Sequence, residues 1–405
     1  MASDGVVIVG AGHAGGQAAA ALRAKGYEGP IRLLGEEPYA PYERPPLSKA
    51  LLAGEIEPAR TYLRKTEFYG EKNIDLRMGV RVEAIEREAH RVILAGDETL
   101  GYEKLILATG SVNRQLDIPG AELAGVRYLR TLDESLALRA DLENAAEVVV
   151  VGGGYIGLEV AATARKMGSH VTVLEMLDRV MARVVAPEMS DYVAACHRDQ
   201  GVEVRTGVAV TGFEGDDRLS AVRLADDSTL PADLAVVGVG VVPDDGLAEA
   251  CDLEVANGIV VDEFTQTTDP DIFAIGDVTN HPNGHYQRRR RLENVQNAMD
   301  QAKTVALAIC GAPEAYNEVP WFWSDQFDLK IQIAGLTEGA DEVVVRQVAD
   351  ENRFAVAYLK EGVLIALDAI NAPKDFMQAR KLIPTNARPD PAKLADPAVP
   401  LRETV

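Results

Sequence analysis

Val6-Val7-Ile8-Val9-Gly10-Ala11-Gly12-His13-Ala14-Gly15 joins a run of β-branched residues to a Gly-x-Gly-x-x-Gly turn and leads straight into an alanine-rich helical stretch. Strand, tight turn and helix start follow one another. Gly10 supplies the tight backbone, Gly12 lets a pyrophosphate approach the main chain, and Gly15 lets the helix lie close on the strand. N–H groups at the helix start then face phosphate charge before any side chain contributes. The same construction returns at Val148-Val149-Val150-Val151-Gly152-Gly153-Gly154-Tyr155-Ile156-Gly157, again leading into a helix, Leu158 to Met167. Each copy has an acidic residue at the end of the next strand, where a ribose hydroxyl would bind: Glu36 after Ile31–Leu34 and Glu175 after Val171–Leu174. Two complete fingerprints predict two dinucleotides.

The chain of 405 residues is long enough for two or three domains, and 26% charged with 47% hydrophobic residues is ordinary for a globular protein. No apolar run approaches the length of a membrane span and the start leads directly into a strand, so a cytoplasmic protein is expected. A net charge of −22 argues against nucleic acid, which needs a basic face. Cys196, Cys251 and Cys310 form no C-x-x-C pair and are read as small apolar residues rather than a disulfide relay.

After Glu36, the prolines of Tyr39-Ala40-Pro41-Tyr42-Glu43-Arg44-Pro45-Pro46-Leu47-Ser48-Lys49 hold an irregular loop, with a short helix beginning at Leu47. Arg44 and Lys49 fall near the first phosphate turn or else are solvated. Lys104–Ser111 reads as a buried strand ending in small residues that admit a ligand, and Asp133-Glu134 as the polar start of a helix. The strand around Ile272–Ile275 stops at Gly276-Asp277, where a carboxylate at a parallel strand's end can accept from a polyol such as a ribityl chain. The first dinucleotide domain is thus interrupted by the second and completed after it. Glu293-Asn294-Val295 opens a helix to Ile309 whose N-terminus can stabilise negative charge on a reduced flavin ring. Arg288-Arg289-Arg290-Arg291, a basic run in an acidic chain, is either a partner-docking site or a solvated face. Strands at Val343–Val348, Phe354–Leu359 and Val363–Ile370 with a helix Lys374–Leu382 indicate a small β domain, followed by a proline-rich tail expected to lie extended on the surface. His281 and His285 sit in a Pro-Asn-Gly loop and are not read as metal ligands; no metal site is expected.

These stretches, with Ala108-Thr109-Gly110, Leu129-Arg130-Thr131, Gly152–Glu159, Glu293–Ala298 and Trp321-Phe322-Trp323, resemble the FAD-dependent, NADH-using ferredoxin reductases of bacterial cytochrome P450 and Rieske-type oxygenase systems. The resemblance covers essentially the whole chain. It implies an α/β fold with two Rossmann-like dinucleotide-binding domains: an FAD domain in segments 1–111 and 242–316, an inserted NADH domain at 112–241, and a C-terminal α+β domain with its tail at 317–405. It further implies that Gly10, Gly12, Ala14 and Gly15 hold the FAD pyrophosphate, Glu36 the adenosine ribose and Val82 the adenine. Ala108, Thr109, Gly110, Gly276 and Asp277 would line the flavin, with Asp277 on the ribityl chain and Val295 at the pyrimidine edge. Arg44 and Arg130 would support the cofactor, Trp323 would lie beside the ring, and Lys49 would stand at its reactive face, ion-paired with Glu159. Gly152, Gly154, Tyr155, Ile156, Gly157, Glu159, Glu175 and Gly240 would contact NADH.

The implied chemistry is hydride transfer from NADH to FAD, then single-electron transfers to a small [2Fe–2S] ferredoxin that supplies the oxygenase. Lys49 and Glu159 are the residues expected at the reacting ring. Arg288 to Arg291, with the C-terminal domain near Trp323, would dock the acidic ferredoxin. Glu175 favours NADH, because a carboxylate repels a 2′-phosphate, although Arg179 and Arg183 lie close in sequence. The alternatives are a reductase of rubredoxin or of a small-molecule acceptor, and a redox-controlled flavin-binding interaction protein resembling apoptosis-inducing factor. Flavoproteins that work through a redox cysteine are disfavoured, since the stretch after Glu36 has Tyr39, Tyr42 and Ser48 but no cysteine.

Overall fold

Val6–Val9 is a strand with every residue buried. It pairs in parallel with Ile31–Gly35 on one side and Lys104–Leu107 on the other. Ile74–Met78 and Ile272–Ala274 extend the sheet at its two edges, also in parallel. A strand covered on both faces must be apolar throughout, which is why Val6-Val7-Ile8-Val9 does not alternate. Burial of each such side chain contributes roughly 1.5–3 kcal/mol. Helix His13–Ala24 packs on helix Val295–Ile309. Ala14, Ala18 and Ala19 share a core there with Ala298, Ala302 and Ala306, and small side chains on both helices permit a close approach.

The computed structural model describes residues 4–347 and 352–405. By contact the chain divides into two units: Met1–Arg44, Pro58–Val112 and Val241–Pro320 form one, and Pro45–Glu57, Asn113–Gly240 and Trp321–Val405 the other. The second unit repeats the parallel construction. Glu147–Val151 lies between His170–Glu175 and Leu234–Val237, with Val202–Thr206 and Val126–Arg127 at the edges. In both units the central strand carries the glycine turn at its carboxyl end, where chain order reverses across the sheet, the position at which such sheets bind ligands. Helix Pro187–Asp199 and the three-stranded sheet Val210–Gly215, Leu219–Leu224 and Thr229–Pro231 also belong to this unit. Both lie beyond the glycine turns and escape a reading centred on them.

The C-terminal sheet is antiparallel, in the order Trp321–Gln326, Leu329–Gly335, Val363–Ile370, Phe354–Lys360, Glu342–Gln347. Of the first two strands, the sequence singles out only Trp321-Phe322-Trp323. Val348, the expected end of one strand, lies outside the described residues. Helix Pro373–Leu382 packs on this sheet. The tail departs from the expected extended surface strand: Pro391–Ala395 is helical, and Leu394 and Leu401 are fully buried. Arg346, itself buried, accounts for this by donating to the Leu394 and Val399 carbonyls, a fixed anchor that proline content does not reveal. His281 likewise lies on a strand, Thr279–Asn283, and is buried rather than in an open loop. No helix among the described residues is long and apolar enough to cross a membrane.

Asp368, on the strand Val363–Ile370, is fully buried and accepts from the Tyr358 hydroxyl at 2.5 Å, while the Ala186 N–H donates to that hydroxyl at 2.9 Å. Burial pushes its carboxyl up to about 7 from 3.8, against a smaller opposite pull from the Tyr358 hydrogen bond. The unfolded chain therefore releases this proton near pH 4 and the folded chain near pH 7, so this group's contribution to stability falls as pH rises across that window. Asp368→Asn keeps the acceptor and removes the titration. The thermal midpoint of the variant minus that of the wild type is expected to grow from pH 4 to pH 7 and then level; a constant difference would refute the assignment.

Candidate functional site

The glycines of the two turns sort into the same two kinds. A Cβ on Gly10 (φ +105°) would lie 2.2 Å from the Ala108 carbonyl oxygen, and one on Gly152 (φ +111°) 2.4 Å from that of Gly238. A Cβ on Gly15 would lie 1.9 Å from the Gly10 carbonyl oxygen, and one on Gly157 2.1 Å from that of Gly152. The fold itself needs glycine at these four positions. Gly12 and Gly154 differ, for a Cβ on either would meet nothing within 4 Å. Each is the N-cap of its helix and supplies no side-chain cap. Cleared space in front of uncapped N–H groups is what an anion needs, so both turns fit a pyrophosphate.

The first unit gathers most of the expected FAD residues around its turn. A Cβ on Gly276 (φ +81°) would lie 2.9 Å from the Cβ of Ala14, so the phosphate turn and Gly276-Asp277 adjoin. The Gly276 N–H donates to Gln301 Oε1 at 2.7 Å, and the Ser111 hydroxyl donates to Asp277 at 3.2 Å. Thr109 Oγ1 donates to the Asp244 carbonyl at 2.6 Å, and the Asp244 N–H donates to the Gly110 carbonyl at 3.0 Å, which fixes Ala108-Thr109-Gly110. Val82 is buried at the start of strand Val82–Glu86. Val295 is the first helical residue after Asn294, whose side chain accepts from the Asn297 N–H at 2.7 Å. Glu36 is exposed and ion-paired with Arg81 at 3.2 Å. Arg44 is paired with Glu37 at 3.2 Å, so it is not a freely solvated charge.

His13, at the first helical position after Gly12, was overlooked. Both ring nitrogens are buried with no hydrogen-bond partner among the described residues. Burial lowers it to about 4, Asp277 opposing this and Arg64 and Arg44 reinforcing it. The basic run is built into structure: Arg288–Arg290 is a strand pairing with Thr279–Asn283. Arg289 donates to the Val261 carbonyl at 2.6 Å, and Arg291 pairs with Glu293 at 2.6 Å.

In the second unit the expected pair forms. Glu159, in helix Tyr155–Lys166, is 2% exposed and lies 2.6 Å from the Lys49 ammonium. Ser48 donates to its Oε2 at 2.5 Å and Ser324 to its Oε1 at 2.6 Å, two partners that sequence reading missed. Strand alternation explains Ser324: Phe322, Ser324 and Gln326 share one face of Trp321–Gln326, and Trp321 with Trp323 the other. Phe322 packs on Tyr155 at 4.8 Å between ring centroids, and Trp323 stacks on Trp321 at 5.7 Å. The Tyr155 ring thus serves packing, its hydroxyl is buried, and its backbone remains at the helix start.

Glu175 has both oxygens engaged, accepting from the Gly153 and Leu177 N–H groups at 2.8 Å each. This fixes a carboxylate at the second turn. Arg179 donates instead to the Val185 and Ala182 carbonyls, at 2.8 and 2.9 Å. Ile156 is half exposed beside the turn, and Gly240 (φ +104°) has open space where a Cβ would be. Arg130 precedes Thr131, which forms a capping box with Glu134. Cys196, Cys251 and Cys310 are unpaired thiols pushed up by burial.

Residues 4–302 match the family model described as pyridine nucleotide-disulphide oxidoreductase, and residues 321–405 match one described as reductase C-terminal. The chain is 42% identical to putidaredoxin reductase of Pseudomonas putida, over 100% of this chain and 97% of that protein. It is 45% identical to the ferredoxin reductase subunit of 5,5'-dehydrodivanillate O-demethylase from Sphingobium sp., over 98% of this chain and 97% of the relative. The crystal structure of a covalent putidaredoxin reductase–putidaredoxin complex superposes with a TM-score of 0.96 at 42% identity, covering 100% of this chain and 98% of that one.

Removing one member of a buried ion pair strands the other, at a cost of a few kcal/mol. Lys49→Met is expected to destabilise the protein by about 2–3 kcal/mol, less than a wholly buried pair because Ser48 and Ser324 still donate. Adding Glu159→Gln should restore most of that loss in denaturant unfolding. Equal stability of Lys49→Met and wild type would show that the pair is not structural.

Proposed function

The chain belongs to the pyridine nucleotide-disulphide oxidoreductase family, and from that premise we propose that it is an NADH-dependent ferredoxin reductase, a flavoprotein carrying electrons from NADH through FAD to a [2Fe–2S] ferredoxin. That ferredoxin would serve a cytochrome P450 or Rieske-type oxygenase, in the cytoplasm. The observation that carries the reading is the pair of glycine turns, each with a middle glycine that the fold does not need.

FAD belongs to the first turn and NADH to the second. Segments 1–111 and 242–316 form the FAD domain in this reading, 112–241 the NADH domain and 317–405 the C-terminal domain. Gly10, Gly12, Ala14 and Gly15 hold the pyrophosphate of FAD, Glu36 the ribose, Val82 the adenine, and Asp277 the ribityl chain. Ala108, Thr109, Gly110, Gly276 and Val295 line the flavin, with Arg44, Arg130 and Trp323 in support. Bound FAD accepts a hydride and releases electrons singly, chemistry that belongs to the cofactor. Gly152, Gly154, Ile156, Gly157 and Gly240 receive NADH, along with the Tyr155 backbone. Glu175 accepts from the ribose 2′-hydroxyl and repels a 2′-phosphate. Lys49 presents positive charge to the ring and Glu159 holds it in place; neither needs to move a proton. The run Arg288, Arg289, Arg290 and Arg291 is assigned to ferredoxin docking, because it is a basic stretch in a chain of net charge −22.

Three experiments test this. Gly12→Ala should fold yet purify without flavin, whereas Gly154→Ala should purify yellow and bleach at least tenfold more slowly with NADH; equal flavin content and bleaching in both would refute the two-site assignment. NADH should reduce the flavin at least tenfold more efficiently than NADPH in kcat/KM, because Arg179 is already occupied. Steady turnover should be fast with a [2Fe–2S] ferredoxin and slow with rubredoxin. Charge reversal at Arg288 and Arg290 should slow it most at low salt while sparing a small dye acceptor. Faster turnover with rubredoxin would reassign the partner.

A further inference from the structure

Behind Glu159 runs a line of buried polar side chains that the hydride step does not itself require. Ser324 and Gln326 on strand Trp321–Gln326, and His197 on helix Pro187–Asp199, are each 0% exposed. Gln326 Nε2 donates to Ser324 Oγ at 3.1 Å, and Gln326 Oε1 lies 2.9 Å from His197 Nε2. Proton counting fixes the direction of every bond. Ser324 has one hydrogen, and the Glu159 carboxylate that meets Lys49 can only accept, so that hydrogen goes to Glu159. The Ser324 oxygen must then accept from an N–H, which places Gln326 Nε2 toward it and Oε1 toward the histidine. Flipping the amide would ask Ser324 to donate twice. His197 Nε2 therefore carries a hydrogen, and its bare Nδ1 agrees with the lack of a partner there among the described residues. Burial lowers the His197 pKa, which favours this neutral ring.

We propose that His197, Gln326 and Ser324 form a one-way chain of donors that orients the Glu159 carboxylate and thereby fixes the Lys49 ammonium, making the three of them positioning residues for the hydride step. The link to the hydride step rests on the reading of Lys49 at the flavin; the link to Glu159 does not. Lys49 is the charged side chain that meets Glu159, with Ser48 and Ser324 as uncharged donors. At the far end the His197 ring meets Phe327, over which Lys166 lies.

The test compares FAD-loaded wild type with Ser324→Ala, Ser324→Thr and Gln326→Leu. Infrared difference spectroscopy, with Glu159→Gln to identify the bands, reads the carboxylate stretches of Glu159, whose splitting reports the hydrogen bonds it accepts. Ser324→Ala should shift those stretches, Gln326→Leu should shift them by less, and Ser324→Thr should restore them. The rate of single-turnover flavin reduction by NADH should fall in the same order, several-fold for Ser324→Ala and less for Gln326→Leu, with Ser324→Thr close to wild type. If Ser324→Ala and Gln326→Leu lower only the thermal midpoint, or if Ser324→Thr behaves like Ser324→Ala, the chain is packing and the proposal falls. An infrared shift without a kinetic one would uphold the hold on Glu159 and overturn the placement of Lys49 at the flavin.

Discussion

A carboxylate in the interior needs donors, and Glu159 draws them from separate stretches of the chain: Ser48 and Lys49 from the proline-bounded segment, Ser324 from the C-terminal sheet. This requirement shapes the second unit. Pro45–Glu57 joins that unit, although the chain on either side of it belongs to the other. The segment is tied in beyond the ion pair, since Ser135 donates to the Leu47 carbonyl at 2.7 Å and Thr163 to that of Ser48 at 2.8 Å. Leu52 enters the apolar core beside Leu158 and Ala161. Polar specificity and apolar burial thus act on the same short segment.

The second constraint is steric and appears twice. At each turn two glycines are imposed by backbone crowding and one is left clear. Crowding of that kind is a folding requirement, whereas the clearing costs backbone entropy with no gain to the fold. The gain must come from what binds. The two turns nevertheless differ in their acids: Glu175 is fastened to the loop it serves, while Glu36 is exposed and paired with Arg81. The second site is therefore the more rigidly prepared for a sugar hydroxyl.

Much of this was legible in the sequence, for identifiable reasons. Val6–Val9 and Val148–Val151 are continuous apolar runs ending in glycine, a pattern with few structural solutions. The Lys49–Glu159 pair followed from family resemblance and from the need of a buried charge for a partner. Ser324 did not, because a serine in an aromatic strand is silent until the strand's facing is known. His197 and Gln326 are hidden for the same reason, being polar residues whose neighbours are 129 positions apart in sequence. The tail misled through its prolines, which mark the absence of regular structure but not the Arg346 anchor that fastens it. The charge of the arginine run is visible in sequence, but the backbone carbonyls that Arg289 serves are not.

A ferredoxin reductase of this kind links a two-electron donor to one-electron acceptors through a single flavin. An anaerobic titration with counted equivalents tests it most directly. One NADH should bleach one flavin, and two equivalents of oxidised [2Fe–2S] ferredoxin should restore its colour completely. Bleaching that ferredoxin fails to reverse, or a flavin that NADH leaves oxidised, would contradict it.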